Sequence, residues 1–122
     1  MASSSQPRVL SFLASAAVEA FRVVKFGADD KHVTKSSAAT DKHCGIAQCA
    51  STAAEDTLEV AIQGGGAKAV LGGNVTRGDY LTSDGNGKLI TTVTADDNVI
   101  AQAMGSGVLN DVIGVEVVNF NY

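Results

Sequence analysis

The stretch Ala39-Thr40-Asp41-Lys42-His43-Cys44-Gly45-Ile46-Ala47-Gln48 is repeated in degenerate form at Val93-Thr94-Ala95-Asp96-Asp97-Asn98-Val99-Ile100-Ala101-Gln102, with the two Ile-Ala-Gln triplets 54 residues apart. Each copy is followed by a short loop of small, polar or acidic residues. A run with strand-like patterning comes next, Leu58–Gln63 in the first copy and Val112–Phe120 in the second. A duplicated strand–turn–strand unit of this kind predicts a compact β scaffold rather than a site built for one reaction.

The rest of the chain also reads as short strands. The repeat extends upstream, where Arg22–Gly27 with its Asp29-Asp30 turn corresponds loosely to Asp79–Thr82 with its Ser83–Gly87 turn. Eight or so short runs of β-type residues, separated by turn residues, predict a small barrel or sandwich. The predicted strands are Phe21–Phe26, Lys31–Lys35, His43–Ala50, Leu58–Gln63, Ala67–Leu71, Tyr80–Thr82, Lys88–Val93, Val99–Met104 and Val112–Phe120.

The N-terminal region is less regular. Met1–Arg8 is rich in serine and is expected to form a flexible arm, followed by a single β-rich domain over residues 9–122. Val9–Ala20 fits either a helix, since Leu10, Leu13 and Ala17 have helical spacing, or an extended strand. The expected fold is therefore all-β, a small barrel or sandwich of short antiparallel strands with an extended N-terminal arm and little helix.

The composition of the 122-residue chain predicts a thin core. Hydrophobic residues make up 45% of the chain but aromatic residues only 5%, and there are 13 glycines. The apolar content is mainly Ala and Val, which suits closely packed strands. Ligand clefts usually have aromatic and larger apolar walls, so a deep pocket is not expected.

The charge distribution argues against polyanionic partners. The net charge is −4, and the nine Lys and Arg residues are scattered singly between Arg8 and Lys88. A nucleic-acid-binding protein normally carries a basic patch, so we expect no nucleic-acid binding and no binding to an anionic membrane. Arg8 and the apolar segment Val9–Ala17 only faintly resemble a signal peptide, because Ser11 and Ser15 interrupt it. We expect a soluble, unprocessed protein.

Candidate metal and redox residues have unsuitable spacing. On one extended strand, Cys44 and Cys49 would lie on opposite faces about 16 Å apart, too far for a disulfide. We expect two reduced, buried cysteines. His32 and His43 do not combine with them in any zinc-binding pattern. No metal ligand and no cofactor is predicted.

Three glycine-rich motifs are interpreted as turns. Gly64-Gly65-Gly66-Ala67-Lys68 lacks the helix and the Ser or Thr that a phosphate loop requires. Asp84-Gly85-Asn86-Gly87-Lys88 has a lysine where a calcium loop needs a third oxygen ligand. Arg77-Gly78-Asp79 is explained by the turn preferences of Gly and Asp.

No residue set resembles a catalytic site. The adjacent acidic pairs Asp29-Asp30, Glu55-Asp56 and Asp96-Asp97 all fall in predicted loops, where solvated carboxylates are ordinary. A Gly-x-Ser-x-Gly elbow is missing from the sequence. We predict no catalytic residue and a protein that is not an enzyme.

Several short motifs, in order and spacing, resemble the capsid decoration (cement) proteins of tailed bacteriophages. The resemblance covers most of the chain after residue 17. The motifs that carry it are Ala17–Gly27, Cys44–Gln48, Asn74–Asp84, Gly87–Ile90, Val99–Ala101 and Asp111–Val117.

This resemblance implies a function on the virion. Members of such a family are small β-rich proteins, commonly trimers, on the outer face of the expanded icosahedral head. The implied partners are the major capsid protein, whose neighbouring copies are bridged, and further copies of the chain. The resemblance also implies synthesis in the bacterial host cytoplasm and carries over no catalytic residues.

Two other functions are alternatives to capsid decoration. A surface-binding module of a phage tail or fibre would show exposed aromatic residues, but the six aromatics are expected mostly in core-like strands: Phe12, Phe21, Phe26, Tyr80, Phe120 and Tyr122. A small enzyme or carrier domain would need a modifiable residue on a hairpin tip, and Lys88 is the nearest candidate.

Overall fold

The computed structural model describes residues 8–27 and 29–122, and these residues form ten β-strands and no helix. The strands are β1 (Val9–Ala14), β2 (Val23–Phe26), β3 (His32–Lys35), β4 (His43–Ala47), β5 (Thr57–Ala61), β6 (Gly66–Val70), β7 (Tyr80–Ser83), β8 (Leu89–Thr91), β9 (Asn98–Ala103) and β10 (Val112–Asn121). The all-β prediction is confirmed. The predicted N-terminal arm lies, apart from Arg8, outside the described residues.

The ten strands form two five-stranded units with the same topology. The first is a closed barrel in the order β1-β3-β2-β4-β5, and the second is a sheet in the order β6-β10-β9-β7-β8. Each pairing in the first unit has its counterpart in the second, including β4 with β5 and β9 with β10, both antiparallel. A parallel bridge between Leu71 and Leu89 connects the outer strands of the second sheet. The duplication inferred from the Ile-Ala-Gln triplets thus extends to the whole strand order.

One pairing in each unit departs from the expected antiparallel arrangement. β1 pairs with β3 in parallel, with Leu13 opposite His32, and the Leu71–Leu89 bridge is parallel as well. Parallel neighbours need a longer crossover than a hairpin. Here β2 lies between them in the chain, so local sequence patterning did not indicate this pairing.

Equivalent loop residues in the two units also share the same backbone conformation. Glu55 and Asn110 occupy equivalent positions and both have positive φ, 71° and 70°. The Glu55 amide donates to the Ala14 carbonyl at 2.7 Å, and the Asn110 amide donates to the Leu71 carbonyl at 2.8 Å. Asn tolerates this left-handed conformation better than Glu does. Both copies therefore preserve one loop geometry although their sequences differ.

The two units share a hydrophobic core. Val23, Ile46 and Ala61 of the first unit belong to one buried cluster with residues of the second, among them Leu81 and Ile100. A smaller cluster fills the first barrel. Because burial of apolar surface is the main favourable term in folding, the shared cluster makes the two units one folding body.

The core contains aliphatic side chains, and its lack of aromatics corrects one expectation. All six aromatic residues lie within the described ranges, and none of them is among the buried hydrophobic residues. Phe26 is 59% exposed and Tyr80 is 39% exposed. The prediction that the aromatics lie mostly in core-like strands is therefore wrong about their burial, although four of them lie within strands.

The structure also adjusts several boundaries. Val9–Ala14 is a strand, which decides between the two alternatives for that part of Val9–Ala20. Phe21 lies in a turn with a φ of 65° and does not belong to β2. β4 ends at Ala47, so Cys44 and Cys49 do not share a strand. Both thiols are free; Cys44 is buried and Cys49 is only half-buried.

Within the described residues, no helix is long and apolar enough to cross a membrane.

Candidate functional site

The acidic residues singled out in the sequence mostly hold turns together. The Asp29 carboxylate accepts from the backbone amides of Lys31 and His32 at 2.9 and 3.1 Å. Asp56 accepts in the same way from Thr52 and Ala53 at 3.0 and 3.2 Å, and these amides lower the pKa of the Asp56 carboxyl. Both carboxylates therefore accept hydrogen bonds from backbone amides within turns.

The three glycine-rich motifs occupy strand ends and turns. Gly64 and Gly65 precede β6, and Gly66–Lys68 are its first three residues. Asp84–Lys88 is the turn between β7 and β8, where Asp84 Oδ1 accepts from the amides of Asn86 and Lys88. In Arg77-Gly78-Asp79, the Asp79 carboxylate accepts from the Thr76 amide and the Thr91 hydroxyl, each at 3.0 Å.

His32 lies between two carboxylates. Its Nδ1 is 2.7 Å from Asp29 Oδ1, and its Nε2 is 2.7 Å from Glu55 Oε2. The hydrogen bonds to Asp29 and then to Glu55 raise the pKa of His32. The carboxylates approach opposite ring nitrogens and do not converge on one point. Among the described residues, no group of three or more His, Cys, Asp or Glu side chains could hold a metal ion.

His43 and Cys44 are buried next to each other in β4. His43 Nδ1 is 2.9 Å from the Ser36 hydroxyl, and burial lowers the pKa of the imidazole. Burial also raises the pKa of the Cys44 thiol to about 11. A thiol with so high a pKa is almost entirely protonated near neutral pH and is a poor nucleophile.

Two open depressions lie on the surface of the described part of the chain. One of about 260 Å³ lies along β1 and includes Phe12, Leu13 and Lys31 in its lining. Another of about 420 Å³ lies beside β6 and includes Lys68 and Met104. Neither brings together the several converging polar groups that fix a small ligand in an enclosed cleft.

The most distinctive surface feature is a cluster of three aromatic side chains, Tyr80, Phe120 and Tyr122, which we call the aromatic patch. The ring of Tyr80 packs edge-to-face on Phe120 with centroids 5.1 Å apart and on Tyr122 at 6.4 Å. All three side chains are 39–44% exposed. Edge-to-face pairs are favourable beyond their buried area, so the rings support one another at the surface.

Backbone contacts hold the aromatic patch in place. The Tyr80 carbonyl accepts from the Thr92 amide at 3.0 Å, and the Thr92 hydroxyl donates to Asp97 Oδ2 at 2.6 Å. The Tyr122 amide donates to the Asp97 carbonyl at 2.8 Å. Val93, which follows Thr92, is 76% exposed.

Sequence reasoning missed the aromatic patch for an identifiable reason. β10 pairs with β9 in regular register up to Val117, and the register shifts between Val117 and Phe120. Such a bulge changes the direction of the side chains beyond it. Val115 and Val117, before the shift, are buried, whereas Phe120, beyond it, is 40% exposed.

Comparisons with known proteins agree with this architecture. A family model described as phage cement protein matches residues 4–115. No curated protein sequence matches the chain. Among solved structures, the chain is similar to the crystal structure of the head fiber gp8.5 N base in bacteriophage phi29, with a TM-score of 0.72 and 16% identity over 94% of this chain and 100% of that chain. At that identity, the similarity shows a shared fold.

Proposed function

Because the chain belongs to the phage cement protein family, whose model matches residues 4–115, we propose that it binds the outer surface of an expanded tailed-phage capsid and bridges neighbouring major capsid proteins. The chain is a structural protein of the phage virion. The family match over most of the sequence is the observation that carries this proposal.

The way the two units are joined supports a rigid bridging role. The β7–β8 turn docks on the first barrel, where the Val23 amide donates to the Gly87 carbonyl at 2.8 Å and Arg22 Nη1 donates to the Asn86 carbonyl at 2.9 Å. On the other side, the Thr82 hydroxyl donates to the Ala39 carbonyl at 3.2 Å. A body that bends little can transmit load between two attachment points, which is what a bridge between capsid subunits requires.

The proposed assembly is a homo-oligomer, with a trimer expected from the family resemblance. Several copies in one assembly would engage the head together, so each contact can be weak while the whole complex remains tightly bound. Binding to the expanded state alone would then stabilise that state by mass action. The protein would be made in the host cytoplasm and act on the virion surface without catalysis.

A second function, the base of a surface fibre or an adhesin-like module, is favoured by two observations. The exposed aromatic rings of Tyr80, Phe120 and Tyr122 are typical of recognition surfaces. The similar solved structure is the base of a phage head fiber. In that case the chain would anchor or present another protein and would not bridge capsid subunits.

Quantitative mass spectrometry of purified parent phage particles separates these functions. A decoration protein is expected in a simple whole-number ratio to the major capsid protein, set by the symmetry of the head. A copy number close to that of a tail protein from the same particles would favour the fibre or tail module. Absence of the chain from purified particles would overturn both.

Rebinding tests the cement function directly. Heads depleted of the chain should lose DNA at lower temperature than complete heads, and added purified protein should restore the original temperature. If the protein binds but the temperature of DNA release does not change, bridging is wrong and simple attachment remains.

A further inference from the structure

The distribution of aromatic side chains in this chain is unusual. A chain with only 5% aromatic residues has a buried core of aliphatic side chains, and half of its aromatics form one surface cluster. Aromatic side chains are the largest apolar groups available for a core. Their placement at the surface therefore contributes less to folding than it would in the core, and a role in recognition accounts for it.

The surroundings of the aromatic patch are acidic. Residues 89–122 contain four carboxylates, at Asp96, Asp97, Asp111 and Glu116, and no Lys, Arg or His. The backbones of three of these residues lie beside the patch. The Asp97 carbonyl accepts from the Tyr122 amide, and the Asp96 carbonyl accepts from the side-chain amide of Asn121 at 3.1 Å. Gln102 in β9 is the register partner of Glu116 in β10 on one side and of Tyr80 in β7 on the other.

Basic residues also lie near the patch. Arg77 lies three residues before Tyr80, but Asp79 stands between them in the same turn. Lys25 of the first unit is paired with Asp41 at 3.2 Å. Lys42 is exposed next to Asp41, whose carbonyl accepts from Asn98 at 2.8 Å. Acidic residues outnumber basic ones around the patch, so it is an apolar, π-rich surface with a predominantly negative rim.

We propose that the aromatic patch binds a cationic segment of the capsid surface, with Lys or Arg side chains placed over the rings of Tyr80, Phe120 and Tyr122. This inference rests on the proposed function for the identity of the partner. The electron-rich ring faces attract a cation by cation–π interaction, and the carboxylate rim adds a longer-range attraction. The same rim would repel nucleic acid and other anionic partners.

The chemistry leads to a specific set of variants. In the triple variant Tyr80→Leu, Phe120→Leu, Tyr122→Leu, the apolar bulk remains but the π faces are lost. In the double variant Asp96→Asn, Glu116→Gln, the rim loses two charges. Asn tolerates the positive φ of 74° at position 96. Phe26→Leu is the matched control, because Phe26 is an exposed aromatic of the first unit.

Binding to heads depleted of the chain is the first test. The triple variant is expected to bind at least about tenfold more weakly than wild type, as the loss of two or three cation–π contacts would produce. The double variant is expected to show a reduced dependence of affinity on salt. Phe26→Leu should bind like wild type. Circular dichroism and urea unfolding confirm that each variant is folded.

The outcomes distinguish this inference from the function on which it rests. If wild type does not bind heads, the proposed function is wrong, and this inference fails with it. If wild type binds and the triple variant binds equally well, only the assignment of the aromatic patch is wrong.

The identity of the bound segment is tested by photo-crosslinking from p-benzoylphenylalanine at position 122 on assembled heads. A crosslink to a Lys- or Arg-containing peptide of the major capsid protein supports the inference. A crosslink to a second copy of this chain, to a peptide without cationic residues, or to a glycan overturns it.

Discussion

The side-chain amide of Gln48 forms hydrogen bonds with both the carbonyl and the amide of Lys68. Nε2 donates to the Lys68 carbonyl at 3.0 Å, and Oε1 accepts from the Lys68 amide at 3.2 Å. Lys68 lies in β6, whose other edge pairs with β10. The side-chain amide of Gln48 thus supplies the two hydrogen bonds that a neighbouring strand would make with Lys68. These bonds join the first unit to the second.

The equivalent residue of the repeat has a different contact. Gln102, the third residue of the second Ile-Ala-Gln triplet, donates to the Gly78 carbonyl at 3.2 Å, within its own unit, and to no other group of the described residues. The two glutamines therefore form a matched pair in which one connects the units and the other does not.

We expect Gln48→Ala to lower the free energy of unfolding by about 1–3 kcal/mol, because three hydrogen bonds are lost, two with Lys68 and one to the Ile46 carbonyl, and one strand edge is left open. Gln102→Ala should cost less, since it removes a single contact. Urea unfolding monitored by circular dichroism measures both. Equal destabilisation by the two substitutions would show that Gln48 is not a special link between the units.

Gly45 is expected to be intolerant of any side chain. A Cβ at this position would collide with the Ala61 carbonyl and would lie 2.7 Å from Val60 Cγ1 in β5. The contact is with backbone, so Gly45→Ala should cost about 1–3 kcal/mol or more as the β4–β5 pair is forced apart.

Gly114→Ala is the matched control for this substitution. Gly114 is also a strand glycine, but a Cβ there meets nothing within 4 Å. Replacing it should be neutral or slightly stabilising because alanine restricts the unfolded chain. If urea midpoints for the two variants coincide, the close approach of β5 to Gly45 is not a constraint on the fold.

The same glycine shows what the sequence could and could not predict. The repeat aligns Gly45 with Val99, and Ile46 with Ile100. Ile46 in β4 and Ile100 in β9 are both fully buried. Periodicity and spacing were sufficient for that, because equivalent strands bury equivalent residues. The need for glycine at position 45 depends on how closely β5 approaches, which involves residues distant in the sequence.

Other features were unpredictable for the same physical reason. The parallel pairing of β1 and β3 depends on contacts between segments separated by β2. Phe120 lies beyond a register shift after Val117, so its cross-strand partner does not follow from the local pattern. The turn of Phe21, with a φ of 65°, breaks the rule that bulky residues avoid the left-handed region. Gly78 holds the equivalent place in the second unit with a φ of 94°, so the backbone geometry is retained where the residue type is not.

His32 is expected to stabilise the first barrel only while it is protonated. Its contacts to Asp29 and Glu55 raise its pKa above the usual value near 6.5. A raised folded-state pKa contributes stability that is fully present below the unfolded-state pKa. That contribution is lost as the pH rises through the folded-state pKa. Glu55→Gln removes one of these contacts, so the folded-state pKa of His32 should fall and the stabilisation should be lost at a lower pH than in wild type. The difference in Tm between the variant and wild type should shrink at alkaline pH. NMR titration of the His32 ring protons measures the pKa directly, and an unshifted value would contradict the prediction.

His43 is expected to act in the opposite direction. Burial lowers its pKa, against weaker opposing effects that include the Asp41 charge. A lowered folded-state pKa contributes stability that is present above the unfolded-state pKa near 6.5 and is lost as the pH falls through the folded-state pKa. His43→Gln stays neutral at every pH and can still bond to Ser36. Its unfolding free energy should therefore fall less than that of wild type on acidification. Parallel curves for the two proteins would show that His43 does not titrate in this range.

Deletion of residues 1–7 is expected to weaken binding to expanded heads without destabilising the domain. The cut is placed after Pro7 because the Arg8 carbonyl accepts from the Ile62 amide at 2.8 Å and Arg8 Nη1 donates to the Gln63 carbonyl at 3.3 Å. Arg8 therefore belongs to the edge of the barrel. A variant in which residues 1–7 are replaced by Gly and Ser controls for chain length. Head binding and urea unfolding are measured on all three proteins. Because each chain of an oligomer would contribute one such segment, even a small loss per segment would multiply across the assembly. Unchanged affinity of the truncated protein for expanded heads would show that the segment has no part in attachment.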